Sequence, residues 1–265
     1  MTMTAPEPSR RYAVILPACN EEPCLAQVLA ELRAVLPVEQ FVIAVGVNGS
    51  TDRTAELARE CGAVVAERAA RGYGHGCQAA IDLVEHEYPP CDGYIFVAAD
   101  GANDPHDISR LVAEHRRGIA LVLGCRTRTA GNWSPSQFHY VVANRFFGAL
   151  CGLLTGRPFA DLGPLRLIDR ELFRALALRE WTYGWTVEAQ IRAVRLGARI
   201  VEIPVRERGR IAGQQKVSHV SWRHTLAVAA RIVAAGFRAR FVSYPARTET
   251  LPRAAELPAR ARAAL

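Results

Sequence analysis

The chain has 265 residues, half of them hydrophobic, with a net charge of +7 and a pI near 9.3. It can bury a full core, and it has no run of about eighteen uncharged apolar residues, so a membrane-spanning helix is not expected. Its 33 basic residues are scattered, with no zinc-finger, basic-zipper or aromatic single-strand pattern among them, which sets nucleic acid aside in favour of phosphorylated small molecules or an anionic membrane surface.

Residues 1–10 carry Pro6, Glu7 and Pro8 without an apolar core, so they read as a disordered tail and not as a secretory signal, with the cytoplasm as the expected compartment. Tyr12 to Leu16 reads as a first strand, followed by a polar turn and an amphipathic helix to about Leu36. A second strand ends at Val47, and a helix with Leu57 on its inner face runs to about Glu60. Ala63 to Ala66 is a short third strand, followed by a glycine-rich loop and a helix through Ile81 and Val84. Tyr94 to Ala99 is a fourth strand, and Pro105 suits the first turn of the helix that carries Ile108 and Leu111. Ala120 to Gly124 is a fifth. This alternation predicts an α/β, doubly wound, mainly parallel sheet.

After Arg126 comes a polar loop, Thr127 to Gln137, read as mobile, and then a helix from about Tyr140 to Leu154. Asp161 to Ile168 is a turn into a strand, Tyr183-Gly184-Trp185 opens a helix to Leu196, and Arg199 to Pro204 is another strand. From Ser218 to Phe241, Trp222, Leu226, Ala229, Ala230, Val233 and Phe237 form a stripe opposite His224, Arg231 and Arg238. That pattern fits a membrane interface, a helix packed on its own domain, or a second subunit. Residues 243–265 read as a disordered tail.

The seven cysteines, Cys19, Cys24, Cys61, Cys77, Cys91, Cys125 and Cys151, are odd in number and lack a C-x-x-C spacing, so they read as reduced, buried small hydrophobes. His219 and His224 stand at a spacing that puts them on different sides of a helix, so no zinc site is expected.

Two strand ends carry the chemistry. The second strand breaks into Asn48-Gly49-Ser50-Thr51-Asp52, and the fourth into Asp100-Gly101-Ala102-Asn103-Asp104, about fifty residues later. Strand carboxyl ends in an open parallel sheet share one edge, where ligands bind, so the two turns predict one nucleotide-handling site. Asp52 and Ser50 also fit as caps of the following helix, and Asp104 fits equally a second metal carboxylate or a cap beside Pro105. Gly72-Tyr73-Gly74-His75-Gly76 fails the dinucleotide fingerprint, since its third glycine would fall at Cys77. It reads as a loop that lets backbone approach the nucleotide. One lysine, Lys216, stands among the 33 basic residues, close to Arg210, which hints that a compact ammonium is needed there.

In chain order, the following segments resemble the glycosyltransferases of family 2, and within them the catalytic domain of dolichyl-phosphate mannose synthase-like enzymes. They are Leu16-Pro17-Ala18-Cys19-Asn20-Glu21-Glu22, Asn48 to Asp52, Gly72-Tyr73-Gly74, Asp100-Gly101, Gly124-Cys125-Arg126, Asp161-Leu162-Gly163-Pro164, Tyr183 to Glu188, and Arg210 with Gly213 and Lys216. The resemblance covers residues from about 12 to 218. It implies the GT-A fold over residues 11–217, with the C-terminal amphipathic helix, 218–242, attached. The implied reaction is transfer of a sugar, with inversion, from a UDP- or GDP-sugar to a lipid or polyprenyl phosphate or a small hydroxyl acceptor, at the inner face of the membrane if that helix touches it. Mg²⁺ or Mn²⁺ is the implied cofactor, because the leaving diphosphate must be neutralised; a homodimer is left open.

By the same resemblance, Pro17, Asn20, Glu21, Asn48, Gly72, Tyr73, Gly74, Ala99, Asp100 and Gly101 contact the nucleotide sugar, and Asp100 is the metal ligand. Arg210 and Lys216 stabilise the leaving group. Asp161 and Glu188 are candidate bases, and Arg126 and Trp185 contact the acceptor. Taken as plain sequence, Glu188 also pairs with Arg192 at helical spacing and Asp161 also holds its own turn. The chain departs from the family at Ala98, where the first acid of the Asp-x-Asp element is missing, at Val47 and Asn48, at Gln215, and at Tyr140 to Asn144, where the family has a Ser-Arg-x-x-Asn run. Ala98 and Val47 motivate a rival reading, a catalytically weakened relative that only binds. A nucleotidyltransferase lacks support, since no early glycine-rich Arg/Lys loop occurs.

Overall fold

Tyr12 to Leu16 are wholly buried, as a strand with apolar residues on both faces must be at the interior of a sheet. The computed structural model describes residues 11–129, 138–212 and 222–242, and there this run forms β1 (Tyr12–Ala18) of a seven-stranded sheet. The other strands are β2 (Phe41–Asn48), β3 (Val64–Arg68), β4 (Gly93–Phe96), β5 (Leu121–Cys125), β6 (Arg166–Asp169) and β7 (Ile200–Pro204). Their spatial order is β3-β2-β1-β4-β6-β5-β7. Every pairing is parallel except those of β6, which runs against β4 and β5. The expected mainly parallel sheet is present, with one reversal that the sequence did not signal.

The helices are α1 (Glu22–Val35), α2 (Thr54–Glu60), α3 (Tyr73–Glu87), α4 (Asp107–Arg116), α5 (Phe138–Thr155), α6 (Arg170–Leu176), α7 (Trp185–Arg195) and α8 (Trp222–Phe241). One core layer lies under α1 and α4, where Leu25, Leu29, Leu32, Ile108 and Leu111 are fully buried. The other lies under α3, α6 and α7, with Ile81, Phe173, Leu176 and Ile191. Each such leucine contributes about 1.5–3 kcal/mol by leaving water. In α2 it is Ala55 and Ala58 that are buried, while the expected Leu57 is only partly so. Helix α6 was missed by sequence. Its signal is Asp169, whose Oδ1 accepts from the Glu171 and Leu172 amides at 2.9 and 3.1 Å as an N-cap.

The seven cysteines are free, and five of them are buried. Burial pushes the Cys91 and Cys151 thiols up to about 11 and 12, so both stay protonated and unreactive at neutral pH, in keeping with their reading as small hydrophobes.

Helix α3 crosses β2 where both chains lack side chains. A Cβ built on Gly46 would stand 1.9 Å from the Gly76 carbonyl oxygen, and one on Gly76 would stand 2.8 Å from Asn48 Oδ1 and 3.1 Å from Pro17 Cβ. Backbone therefore rests on backbone, and the first turn of α3 is brought to the ends of β1 and β2. Gly46→Ala is expected to push α3 off the sheet and to cost about 3 kcal/mol, the upper part of the overpacking range, because neither clashing atom is a movable side chain. Urea unfolding of the variant checks this; a loss below about 1 kcal/mol would show that the crossing can open freely.

Helix α8 packs by its small residues: Ala235, Gly236 and Ala239 are buried, and a Cβ on Gly236 would meet Leu154, Ile191 and Val187 at 3.3–3.5 Å. Phe237, on the apolar stripe for which three readings were open, is 45% exposed beside Arg238. The two expected tails, most of the 127–137 loop, and Gly213, Gln215, Lys216 and His219 lie outside the described residues, as do the side chains of Tyr140, Trp222, His224 and Leu226.

Candidate active site at the strand ends

Strand β1 is flanked by β2 on one side and β4 on the other, so the chain winds away from it in two directions and leaves a crevice at its carboxyl end. The turns after β1 and β2 are fastened to each other there. Asn20, at φ 53°, a left-handed conformation that asparagine tolerates, accepts from the Thr51 amide at 2.7 Å, while its own amide donates to Ser50 Oγ at 2.9 Å. Glu21 N donates to Thr54 Oγ1 at 2.9 Å, and Glu22 N to Asp52 Oδ2 at 3.2 Å. Asp52 also accepts from the Thr54 amide at 3.1 Å. Ser50 and Asp52 thus lock the turns together, and Asp52 also reaches the first amide of α2, whereas Ser50, expected as a cap of that helix, accepts from the Asn20 amide instead. Pro17 and Asn48 stand beside the first turn of α3.

The turn after β4 is covered by a strap, residues 206–212. Arg208 N donates to the Ala102 carbonyl at 2.8 Å, Ile211 N to the Asp100 carbonyl at 3.1 Å, and Asn103 pairs with Glu207. Gly101, at φ +78°, leaves the space that Ile211 fills, since a Cβ there would be 2.2 Å from its Cδ1. Ala99 is buried beneath. Arg210 reaches under the strap to two acids: its Nη1 stands 3.4 Å from Asp100 Oδ2, and its Nη2 donates to Glu21 Oε2. Sequence-predicted Glu21, Asp100 and Arg210 therefore meet at one point, although 189 residues separate Glu21 from Arg210.

A second charged cluster lies at the ends of β5 and β7 and the start of β6. Asp161, whose side chain has no exposure, accepts from the Arg126 amide (2.7 Å), Arg126 Nε (2.9 Å), Arg126 Nη2 (2.9 Å) and the Leu162 amide (2.7 Å). Arg126 Nη1 donates to Glu207 Oε1 at 3.1 Å. Burial by itself disfavours the Arg126 charge, but the hydrogen bond and charge of Asp161, then those of Glu207, outweigh it and push the pKa up. Burial also pushes the Glu207 carboxyl up, against the pull of Arg126. Glu207 was missed by sequence, because an acid between Arg206 and Arg208 looks like a solvated surface charge. The expected base Asp161 and the expected acceptor contact Arg126 thus hold each other.

The glycine-rich segment is not the open loop expected. Tyr73, Gly74 and Gly76 form the first turn of α3, and Gly74 N donates to the Trp181 carbonyl at 3.0 Å, so residues 180–185 cover it. Trp185 is 1% exposed, with its ring on Tyr73 and Phe96 and the Arg166 guanidinium 5.5 Å from its centroid. An expected acceptor contact is therefore a core residue here. Glu188 is 4% exposed; its Oε2 accepts from the Arg179 and Glu180 amides at 2.9 and 2.7 Å, and its Oε1 stands 3.1 Å from Arg192 Nε. The helical-spacing pair with Arg192 is formed, and none of these contacts joins Glu188 to the strand-end acids.

Among the described residues, no three His, Cys, Asp or Glu side chains gather as a metal cage. Asp104 Oδ1 accepts from the His106 amide at 3.0 Å and lies 2.9 Å from His106 Nδ1, so it holds the turn before α4, whose N-cap position is His106 and has no side-chain cap bond. Asp100 Oδ1 accepts from the Ala102 amide at 3.1 Å and its Oδ2 faces Arg210. These residues do not fit a free divalent ion. They do fit an ion carried by a diphosphate, since Mg²⁺ at such sites keeps several waters and takes one or two protein carboxylates.

A strand-end crevice at the switch point, acids on the turns after β1 and β4, and a basic strap across them define the GT-A class of nucleotide-sugar glycosyltransferases. The chain belongs to glycosyl transferase family 2, whose sequence pattern matches residues 13–176. It is 33% identical over 207 residues to an uncharacterized glycosyltransferase of Mycobacterium tuberculosis, covering 77% of this chain and 88% of that protein. It is 30% identical over 216 residues to dolichyl-phosphate hexose transferase of Haloferax volcanii, covering 77% and 86%, and 29% identical over 222 residues to undecaprenyl-phosphate mannosyltransferase of Micrococcus luteus, covering 78% and 88%. Among solved structures it resembles glucosyl-3-phosphoglycerate synthase from Mycobacterium tuberculosis in complex with Mn²⁺, UDP-glucose and phosphoglyceric acid. That similarity has a TM-score of 0.65 at 21% identity, covers 89% of this chain and 81% of that one, and is a likeness of fold.

Proposed function

We propose that the protein transfers a hexose, with inversion, from a UDP- or GDP-sugar to a polyprenyl phosphate at the inner membrane surface. The observation that carries the acceptor class is the engagement of Asp161 and Glu188. Both are buried and engaged by structural donors, so neither is poised to take a proton from a hydroxyl. An ionised phosphate acceptor needs no base. The names of the Haloferax and Micrococcus relatives support the same acceptor class.

In this reading the turns at Pro17, Asn20, Asn48 and Ala99 to Gly101 orient the nucleotide, and Asp100 would hold a divalent ion, which would supply positive charge to the leaving diphosphate. Arg210, with Lys216, stabilises the same developing charge, an interaction worth about 3 kcal/mol when made in the transition state. Arg126 meets the acceptor phosphate once Glu207, whose carboxyl burial pushes up, gives way.

Two helices supply the surface. Neither α5 nor α8 contains an acidic residue, and their exposed side chains include Val142, Phe146 and Leu153 on α5 and Phe237 and Phe241 on α8, with Arg145, Arg231 and Arg238. Aromatic and aliphatic groups beside arginine suit an interface with anionic lipid. Among the described residues no helix is long and apolar enough to cross a membrane.

The test is transfer of labelled sugar from UDP- and GDP-sugars into vesicles that contain undecaprenyl phosphate. Phe237→Asp/Phe241→Asp is expected to reduce vesicle co-sedimentation and lipid-linked product by about tenfold or more, the loss of roughly one buried aromatic, while nucleotide binding persists. A second reading rests on Glu207, whose raised carboxyl beside Arg126 suits a base for a hydroxyl acceptor. Product only on a soluble alcohol would favour it. Neither product nor nucleotide binding would leave the non-catalytic relative.

A further inference from the structure

The seat of Arg210 has a consequence for how the site is loaded, given the reading of the crevice as a diphosphate site. Glu21 and Asp100 bring two negative charges to one point, and the guanidinium of Arg210 stands between them, its side chain 14% exposed. It is held there from behind as well. Its Nε donates to the Ala212 carbonyl at 2.6 Å, the same oxygen takes Cys24 Sγ at 3.1 Å, and the Ile211 side chain lies on Gly101. The cation is thus placed by the strap, not drawn in by chance from a solvated surface.

Such a cation competes with a metal. A free divalent ion at Asp100 would have to take Oδ2 from Arg210 or stand beside a fixed positive charge, with neither Ala98 nor the occupied Asp104 to help hold it. A diphosphate changes the balance: its oxygens accept the guanidinium as well as the carboxylates did, in the fork geometry arginine prefers, and the metal it carries replaces the lost positive charge at Asp100. We propose that Arg210 keeps free divalent metal off Asp100, so that the ion enters only as its complex with a nucleoside diphosphate, whose phosphates take over the guanidinium. The missing first acid at Ala98 then serves the same end, since a second carboxylate would let the ion bind first.

The measurement is free Mn²⁺ by electron paramagnetic resonance, titrated into the full chain without nucleotide. Wild type is expected to bind Mn²⁺ weakly, and Arg210→Gln about tenfold or more tightly, as follows from removing one charge-assisted contact to Asp100. That gain should vanish in Asp100→Asn/Arg210→Gln. Equal Mn²⁺ affinity of wild type and Arg210→Gln, both folded by thermal melting, overturns the proposal. Should Arg210→Gln not fold, wild type alone decides. Mn²⁺ uptake must then rise about tenfold with UDP or GDP and not with uridine or guanosine, and equal uptake with the nucleosides overturns the proposal too. If neither diphosphate binds, the donor reading fails, while the comparison of the two proteins in Mn²⁺ alone still judges the role of Arg210.

Discussion

Asp161→Ala is expected to lose about 3–5 kcal/mol of folding stability, the cost of leaving a buried guanidinium without its partner. Three of the four hydrogen bonds that Asp161 accepts come from Arg126, and the Asp161 side chain is wholly enclosed. Glu207 still touches Arg126, through Nη1 at 3.1 Å. A domain of this size has about 5–15 kcal/mol in total, so the variant should unfold at low guanidinium concentration. Asp161→Leu with Arg126→Met should regain part of the loss, because the buried guanidinium left without Asp161 is gone, while Glu207 gives up its contact with Arg126. A loss under about 1 kcal/mol for Asp161→Ala would mean that the pair is not needed for the fold, and Asp161 would again be open to acting as a base.

Asp100→Asn is expected to do the opposite, leaving the fold intact and removing activity. The Asp100 side chain is 22% exposed, and an asparagine can still accept from the Ala102 amide, so unfolding should change by less than about 1 kcal/mol. Turnover should fall about 10²–10³-fold, the scale of removing one electrostatic stabiliser of a leaving group. The check is kcat/KM with the donor sugar, beside the denaturation curve of the same preparation. A fall of less than about threefold would take Asp100 out of the chemistry.

The sheet and the crevice were legible because apolar runs end abruptly at Asn48 and Asp100, and strand ends of one parallel sheet must share an edge. The direction of β6 was not, since four residues, Arg166–Asp169, carry no periodicity that tells parallel from antiparallel. The glycine segment misled because glycine reads as loop, whereas here it makes room for backbone contact between α3 and β2. Candidate residues were found singly, from turns and from family likeness. Their pairing could not be: Arg210 with Glu21, and Asp161 with Arg126 and Glu207, are contacts between distant segments that only the folded chain creates. The i,i+4 partnership of Glu188 and Arg192 was readable, being local.

The reversal of β6 divides the molecule's inheritance. Because β6 runs against β4 and β5, the turn that enters it, Asp161 to Gly163, arrives at the same edge that the other strands leave. The side of the sheet from β3 to β4 carries the turns at Asn20, Asn48 and Asp100, while the side from β6 to β7 carries Asp161, Arg126 and the approach to the strap. Loops on the second side can lengthen, shorten or change sign without disturbing the registers that set the first. In the reading proposed above, with the sugar donor on the first side and the acceptor on the second, a lineage built on this sheet is free to keep one activated sugar and trade recipients.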